Sequence, residues 1–351
     1  MIHIQCKGSA YQIGKQHGQF CPEAIRTSYK AWAPVNDLNT REMQREITLA
    51  EKRLSERFPE ILEEMQGIAD GSNLSLNQIL CMNCEFEMVS TAHLLPSCSN
   101  IGFKTSEYGV LLGKTADWYP DNSHEFTMSQ HFIPTCGNGY EFLNFGCAGT
   151  LWSEGGLNKS GLAMVLNGLP TTGSSTNSVP TLALTRGVLQ WCRDVKDAVD
   201  WLDKYDVLNW GFNLTLADKS GALCYIEVAP GRQAVFYPTK DYVIHTNHCL
   251  QESVLERQLA PDETALIGYP DLLHNSKARY DNLMQLVPKS PRSLDSMIAI
   301  LRNRSTAGAI SQAGESHGLK TVYAVIVAPE AGILWGSKGF PPESPFESHQ
   351  I

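Results

Sequence analysis

The 351-residue sequence lacks the short motifs that identify several large enzyme classes. It contains no GxGxxG dinucleotide fingerprint, no GxxxxGK(S/T) phosphate loop, no HExxH zinc motif and no GxSxG nucleophile elbow. Nucleotide-dependent, zinc-peptidase and serine-hydrolase functions therefore lose their usual support in the sequence.

Positive charge is also scarce, with 28 Lys and Arg residues against 37 Asp and Glu residues and a formal net charge of −9. Nucleic-acid phosphates require clustered Lys and Arg, which the sequence does not contain. No apolar run is long enough to cross a bilayer, and Met1 to Gly8 lack the basic start and apolar core of a signal peptide. We therefore expect a cytoplasmic protein with no nucleic-acid or membrane partner.

Ten cysteines are spread over the whole chain instead of being packed into a small secreted scaffold, which favours reduced thiols. The Cys81–Cys84 CxxC motif lies in a helical pattern and has no second CxxC to complete a metal site. The cluster from His245 to Cys249 likewise has no matching ligands elsewhere. We predict no metal and no bound cofactor, and expect the His245 and His248 side chains to reach a substrate pocket from a strand end.

The pattern of apolar residues changes at Cys98, and this change is the most informative feature of the sequence. After Cys98, Ile101–Phe103 and Tyr108–Lys114 flank a polar break of hairpin-loop length, which predicts two paired strands. Before it, apolar residues recur every three or four positions and predict helices: Met43, Ile47, Ala50, Leu54, Phe58, Ile61, Met65 and Ile68.

Two polar tetrapeptides have the spacing of helix-capping boxes. Ser75 to Gln78 predicts the start of the helix that leads toward Cys98, and Asn39 to Glu42 predicts the start of the preceding one, which Pro59 is expected to kink or split.

Strand patterns and helix patterns alternate in blocks through the rest of the chain. Hairpin-sized connections between the strands favour an α+β fold of antiparallel sheets covered by helices over a doubly wound parallel sheet. The predicted strands are 127–135, 140–145, 162–166, 213–217, 223–228, 234–237, 242–246, 321–327 and 332–336, and the predicted helices are 182–192, 195–205, 272–287 and 294–303.

Small polar residues flank Cys98 on both sides. A packing cysteine is usually surrounded by apolar residues, whereas a reactive thiol needs polar neighbours and access to solvent. At the expected exposed start of a strand, Cys98 is therefore the candidate nucleophile.

Five ordered motifs resemble one family, the peptidase C45 or acyl-coenzyme A:6-aminopenicillanic acid acyltransferase group of N-terminal-nucleophile (Ntn) hydrolases. The resemblance spans nearly the whole chain. The motifs are Gly8–Gly18, Leu111–Trp118, Gly156–Ala163, Ala217–Gly221 and His245–His248.

The resemblance implies a four-layer αββα sandwich and a precursor that cuts itself between Ser97 and Cys98. A mostly helical segment, 1–97, and a catalytic chain, 98–351, would then stay associated as one domain. The chain also departs from the family pattern. The family member that acylates penicillin nuclei has a functionally important arginine near its C-terminus, and we find no counterpart of it around Ile310–Gln312.

The expected chemistry begins with attack of the Cys98 sulfur on the Ser97 carbonyl. The α-amine released on Cys98 would then act as the base, since its reference pKa lies near 7.7 to 8.0. A substrate acyl group would form a thioester on Cys98 and pass to an amine or to water, with acyl-coenzyme A a possible donor. Asn247 is the candidate oxyanion donor, and Asp117 would hold the Cys98 amine and thiol in register.

Three alternatives stay open at this point. A plain amidase would differ only in letting water resolve the thioester. An uncleaved Ntn-fold binding protein would never expose a terminal Cys98, and a thiol hydrolase would pair Cys98 with His245 or His248 without cleavage.

Overall fold

Residues before Cys98 form mostly helices, as the apolar spacing predicts. The computed structural model describes residues 2–32, 38, 40–84, 97–118, 125–137, 139–173, 175, 177–208, 210–266, 271–306, 308–314 and 318–351. The helices are α1 (Ala10–Phe20), α2 (Pro22–Trp32), α3 (Arg41–Arg57), α4 (Pro59–Ser72), α5 (Leu76–Asn83), α6 (Thr181–Trp191), α7 (Val195–Leu202), α8 (Glu252–Leu255), α9 (Pro261–Leu266), α10 (Leu272–Leu286) and α11 (Leu294–Leu301).

Within the described residues the strands form two sheets, one of eight strands in the order β1-β4-β5-β6-β7-β8-β9-β10 and one of six in the order β11-β2-β3-β12-β13-β14. All neighbouring strands run antiparallel except β1 and β4. The strands are β1 (Ile2–Gly8), β2 (Ser97–Phe103), β3 (Leu111–Trp118), β4 (Thr127–Pro134), β5 (Phe142–Cys147), β6 (Gly155–Asn158), β7 (Leu162–Leu169), β8 (Gly211–Asp218), β9 (Leu223–Ala229), β10 (Arg232–Phe236), β11 (Tyr242–His245), β12 (Lys320–Ala328), β13 (Ile333–Lys338) and β14 (Phe346–Gln350).

The elements stack as helices, sheet, sheet and helices. Strands β2, β3 and β12 pack against β6, β7 and β8 of the larger sheet, whose strands also contact α1, α6 and α7. Helices α10 and α11 contact β2, β3 and β11. The central strands are buried along their whole length because each lies between another sheet and a helix layer. The predicted αββα sandwich is confirmed.

The predicted hairpin after Cys98 and the later strands and helices are confirmed within a few residues. Pro59 splits the long helix as expected, being the first residue of α4. The Ser75 capping box is present, whereas the preceding helix is capped by Thr40, whose side chain accepts from the Met43 N–H. Asn39 lies outside the described residues.

Three strands were missed by the sequence analysis, namely β1, β6 and β14. Strand β1 lies in the segment that we expected to be mostly helical, and β6 has only four residues, two of them glycine. The expectation that Cys98 is exposed is wrong, since its side chain is 1% exposed. Its polar neighbours are buried in a hydrogen-bond network instead of facing solvent.

Helices α1 and α4 approach each other closely through glycines. A Cβ atom placed on Gly14 would lie 2.0 Å from the Glu64 carbonyl oxygen, and one on Gly67 would lie 2.2 Å from the Tyr11 carbonyl oxygen. Only glycine fits at these contacts, which fix the N-terminal helices as one layer.

Candidate active site

Cys98 is the second residue of strand β2, and the two faces of this strand have different surroundings. Successive strand residues point to opposite faces. Ser97 and Ser99 contact Arg279 of α10, so they face the helix layer. Asn100 donates to the Val165 carbonyl of β7, and its face looks into the space between the sheets. Cys98 shares that inner face.

Arg279 is the centre of the outer face. Its guanidinium donates to the Cys98 carbonyl oxygen, to Ser99 Oγ at 2.9 Å and to the Ser97 hydroxyl. It also donates to Asn247 Oδ1 at 2.7 Å and, through Nε, to Asn275 Oδ1 at 2.8 Å. The side chain is fully buried, and this burial lowers its pKa, an effect opposed first by the charge of Asp117. A buried cation thus holds both ends of the Ser97–Cys98 unit.

The side-chain oxygen of Asn247 is hydrogen-bonded to Cys98. The Cys98 backbone N–H donates to Asn247 Oδ1 at 2.7 Å, and Asn247 Nδ2 donates to the Gly168 carbonyl at 3.0 Å. Ser276 of α10 fixes the same residue by accepting from its backbone N–H at 2.8 Å. The geometry therefore makes Asn247 an acceptor for the Cys98 nitrogen. Its expected role as an oxyanion donor stays a prediction.

Asp117 lies in β3 directly opposite Ser97, and so on the outer face. Its carboxylate accepts from the Thr321 hydroxyl and from Gln312 Nε2. Complete burial raises the Asp117 pKa to about 6, against the opposing effects of Arg279 and these two donors. Gln312 in turn accepts from Asn275 Nδ2 at 2.8 Å, which links Asp117 to the Arg279 network.

The inner face beside Cys98 carries a second buried charge, Lys114. Lys114 is opposite Asn100 in β3 and forms a close ion pair with Glu154. Tyr323 of β12 is paired with Ala116, the residue opposite Cys98, and Lys114 Nζ lies 5.8 Å from the centre of its ring. A β-bulge between Thr321 and Tyr323 turns these two side chains to opposite faces of the sheet.

The Cys98 thiol is protonated at neutral pH in this structure. Burial raises its pKa to about 11, and the neighbouring Lys114 ammonium is the strongest influence in the opposite direction. Glu154 and Asp117 raise the pKa further, and Arg279 lowers it. Chemistry at this sulfur therefore requires a base or a change in its surroundings.

His245 is paired with Asn100 of β2, and the described ring contacts of His245 and His248 are with residues other than Cys98. Fully buried His245 contacts Glu227 Oε1 through Nε2 at 2.7 Å and the Thr246 carbonyl through Nδ1 at 2.7 Å. His248 Nδ1 lies 2.8 Å from Ser276 Oγ, and burial lowers the His248 pKa to about 3. Their role in substrate binding stays a prediction, and the contacts fix the segment that carries Asn247.

The structure thus brings Ser97, Cys98 and Asp117 of the β2–β3 hairpin together with Asn247, which lies about 150 positions after Cys98. The sequence analysis missed Arg279, Lys114 and Glu154. A signal existed for the first two: Arg279 occupies the buried stripe of α10, and Lys114 interrupts an apolar run in β3. Such positions rarely hold an unpartnered charge.

All ten cysteines are in the reduced form. Among the described residues, no group of three or more His, Cys, Asp or Glu side chains is placed to hold a metal ion. No helix in the same part of the chain is long and apolar enough to cross a bilayer.

Comparison with known proteins supplies the family. The profile of the acyl-coenzyme A:6-aminopenicillanic acid acyl-transferase family matches residues 104–339, about two thirds of the chain. The chain belongs to this family. The matched region includes Asp117, Asn247 and Arg279 and begins six residues after Cys98.

Two relatives agree with that assignment. The 40 kDa form of acyl-coenzyme A:6-aminopenicillanic-acid-acyltransferase from Emericella nidulans is 23% identical over 259 residues, covering 71% of this chain and 70% of that protein. Penicillin V acylase from Agrobacterium tumefaciens superposes with a TM-score of 0.52 at 15% identity, covering 72% of this chain and 86% of its own, and shares the Ntn-hydrolase fold. This family member is therefore an acyltransferase or amidohydrolase of the Ntn type.

Proposed function

We propose that Cys98, released as an N-terminal residue by self-cleavage after Ser97, is the nucleophile of an enzyme that moves acyl groups to an amine or to water. The observation that carries this proposal is the set of contacts around the Ser97–Cys98 peptide. Arg279 donates to the Cys98 carbonyl and the Ser97 hydroxyl, and Asn247 Oδ1 accepts from the Cys98 N–H.

Self-cleavage proceeds by an acyl shift from nitrogen to sulfur. The Cys98 sulfur attacks the Ser97 carbonyl carbon, the C–N bond breaks, and the thiol proton ends on the Cys98 nitrogen. Water then opens the thioester, which gives a Ser97 carboxylate and restores the thiol. Asn247 Oδ1 already accepts from this nitrogen at 2.7 Å and is in place to accept from the free amine that results.

Acyl transfer then repeats the same chemistry with a substrate. The free α-amine of Cys98 takes the thiol proton, the sulfur attacks the substrate carbonyl, and a thioester forms as the first product leaves. An amine or a water molecule resolves the thioester. Lys114 favours the thiolate because its ammonium lies close to the sulfur in a site from which water is excluded.

Contacts across the cleavage point favour two fragments that stay together. Strand β1 pairs with β4, Glu64 of α4 forms a fully buried ion pair at 2.6 Å with Arg186 of α6, and the Gly149 N–H donates to His17. Breaking a buried pair by removing one partner costs about 3 to 5 kcal/mol. Segment 1–97 would therefore remain part of the enzyme.

The chemistry and the relatives' names support a proposal for the substrate class. The Emericella nidulans relative is named for acyl transfer from acyl-coenzyme A, and the Agrobacterium tumefaciens structure is a penicillin acylase. We propose a small acyl thioester or N-acyl amine as acyl donor for this chain. A Cys-His thiol hydrolase is less favoured. In the described contacts, the ring nitrogens of His245 and His248 bind residues other than Cys98.

Trapping the acyl-enzyme tests this proposal. Purified protein is mixed with a series of acyl thioesters and N-acyl amines, quenched in acid within seconds, digested and analysed by mass spectrometry. We expect the acyl mass on the peptide that begins with Cys98, and loss of both adduct and turnover in Cys98→Ala. Cys224→Ala, which removes another fully buried thiol, is the matched control. Turnover without an adduct at Cys98, or turnover by Cys98→Ala, would overturn it.

A further inference from the structure

A cavity lies at the edge of the sandwich, and Cys98 is not among its lining residues. It has a volume of about 340 Å³, in the size range of small-molecule sites, and opens between β9, β10, β11 and α10. Four aromatic rings and five aliphatic side chains line it, together with Thr239 and Lys240.

The cavity is separate from the candidate active site. Its β11 lining, Tyr242 to Ile244, pairs with Phe103 to Ile101 of β2, three to five residues beyond Cys98. At about 3.3 Å per residue this is a separation of about 10 to 17 Å along the strand. The rings of Tyr225 and Tyr280 pack on His245 and His248, and these histidines lie between the cavity and Asn247.

Among the described residues, the lining of the cavity carries one charged side chain. Lys240 is the single charged residue of the lining, and its ammonium donates to the Tyr242 hydroxyl at 3.1 Å while lying over the Tyr242 ring. The nearby carboxylate of Asp241 accepts hydrogen bonds from Nε and Nη2 of Arg292. A cation above an apolar cavity favours a ligand with an apolar body and an anionic end.

The walls of the cavity suit the apolar body of such a ligand. The Tyr225 and Phe236 rings stack with centroids 4.8 Å apart, and Phe236 and Met284 keep 39% and 37% of their surface exposed. Covering these surfaces would remove apolar area from water, which favours binding.

We propose that this cavity binds a small carboxylic acid, with the acyl chain against Phe236 and Met284 and the carboxylate on Lys240. It is the class of molecule that hydrolysis of an amide releases, but the proposal rests on the cavity alone and does not need the function proposed above.

Calorimetric titration of the full-length protein tests the site with octanoate as probe and octylamine as a probe of the same chain length and opposite charge. We expect one octanoate per chain and binding of octylamine at least tenfold weaker. Lys240→Met should abolish this preference, and Met284→Trp should remove binding by filling the cavity. Lys289→Met, a change at an exposed lysine, is the matched control and should bind as the parent does.

Titration of the Cys98→Ala variant shows whether octanoate binds in this cavity or in the candidate active site. We expect unchanged octanoate binding in that variant, whether or not Cys98 is the nucleophile. Loss of binding in Cys98→Ala would assign the acid to the active site and overturn the proposal. Equal binding of both probes, full binding by Met284→Trp, or no octanoate binding at millimolar concentration would overturn it as well.

Discussion

The two faces of β2 differ in what they hold. On the outer face, Arg279 donates five hydrogen bonds, all to uncharged oxygens, and these fix the backbone and the hydroxyls around Cys98. On the inner face the thiol lies near Lys114 and its partner Glu154, and no hydrogen bond holds the sulfur among the described contacts. In the proposed self-cleavage, the outer face would position the Ser97–Cys98 peptide, and the inner face would set the charge at the Cys98 sulfur.

This division suggests separate roles that mutations can distinguish. Changes on the outer face should slow every step that depends on the position of Cys98. Changes on the inner face should act through the thiol and should therefore depend on pH. The rate of self-cleavage reports the effect of changes on either face and does not require a known substrate. It can be followed on gels with freshly synthesised protein.

Replacing Arg279 should have the largest effect. Arg279→Met removes the bonds to the Cys98 carbonyl and the Ser97 hydroxyl. Hydrogen bonds to charged groups are worth about 1.5 to 3 kcal/mol each, so losing two corresponds to about 10² to 10⁴ in rate. Arg302→Met is the matched control, because Arg302 likewise donates to main-chain carbonyls, those of Pro341 and Ser344, but lies at the C-terminal end of α11. Cleavage at the parent rate in folded Arg279→Met would refute a positioning role.

Replacing Lys114 should have a smaller effect that changes with pH. Because the Lys114 ammonium lowers the Cys98 pKa, Lys114→Met should raise it and shift the rising limb of the rate profile to higher pH. Loss of a close opposite charge moves a pKa by about 1 to 3 units, so we expect a rate at least about tenfold lower at pH 8. The double variant Lys114→Met/Glu154→Gln should recover part of the rate, because it also removes the Glu154 carboxylate, which raises the Cys98 pKa. An unshifted profile would show that the inner charge does not act on the thiol.

Asp117 should have the smallest effect and a distinct pH signature. Its pKa of about 6 means that the carboxylate becomes protonated as the pH falls through 6. If its charge supports the reaction, the parent rate should fall more steeply below pH 6 than above it. Asp117→Asn should be about tenfold slower at pH 8 and should lose this extra steepness. Asp203→Asn, at an exposed aspartate, should keep the parent profile. A change of slope that survives in Asp117→Asn would assign it to another group.

Local patterns were sufficient to predict most of the fold. The β2–β3 hairpin, the division at Pro59 and the Ser75 capping box depend on neighbouring residues, and these were predicted correctly. Strand β1 was missed because its partner β4 lies more than 120 residues away, so its pairing leaves no local signal.

The sequence analysis named only those residues of the candidate site that a local pattern marked. Asp117 and Asn247 lie in recognisable motifs and Cys98 lies where the helical pattern ends, whereas Arg279 reaches Cys98 from a helix 181 positions later. The burial of Cys98 was not foreseen, because Ser97, Ser99 and Asn100 resemble a surface segment in sequence. Only the tertiary structure supplies the buried partners that these polar groups require.

Mass spectrometry of the freshly purified protein, combined with N-terminal sequencing, tests the central claim most directly. We expect two associated fragments, residues 1–97 and 98–351, with masses of about 11 and 28 kDa from the 38.8 kDa chain, the larger beginning Cys98-Ser99-Asn100. Cys98→Ala should remain a single chain, and Cys224→Ala should be cut like the parent. A parent protein that turns over acyl substrates as an intact chain, or a Cys98→Ala protein that is still cut after Ser97, would contradict the account.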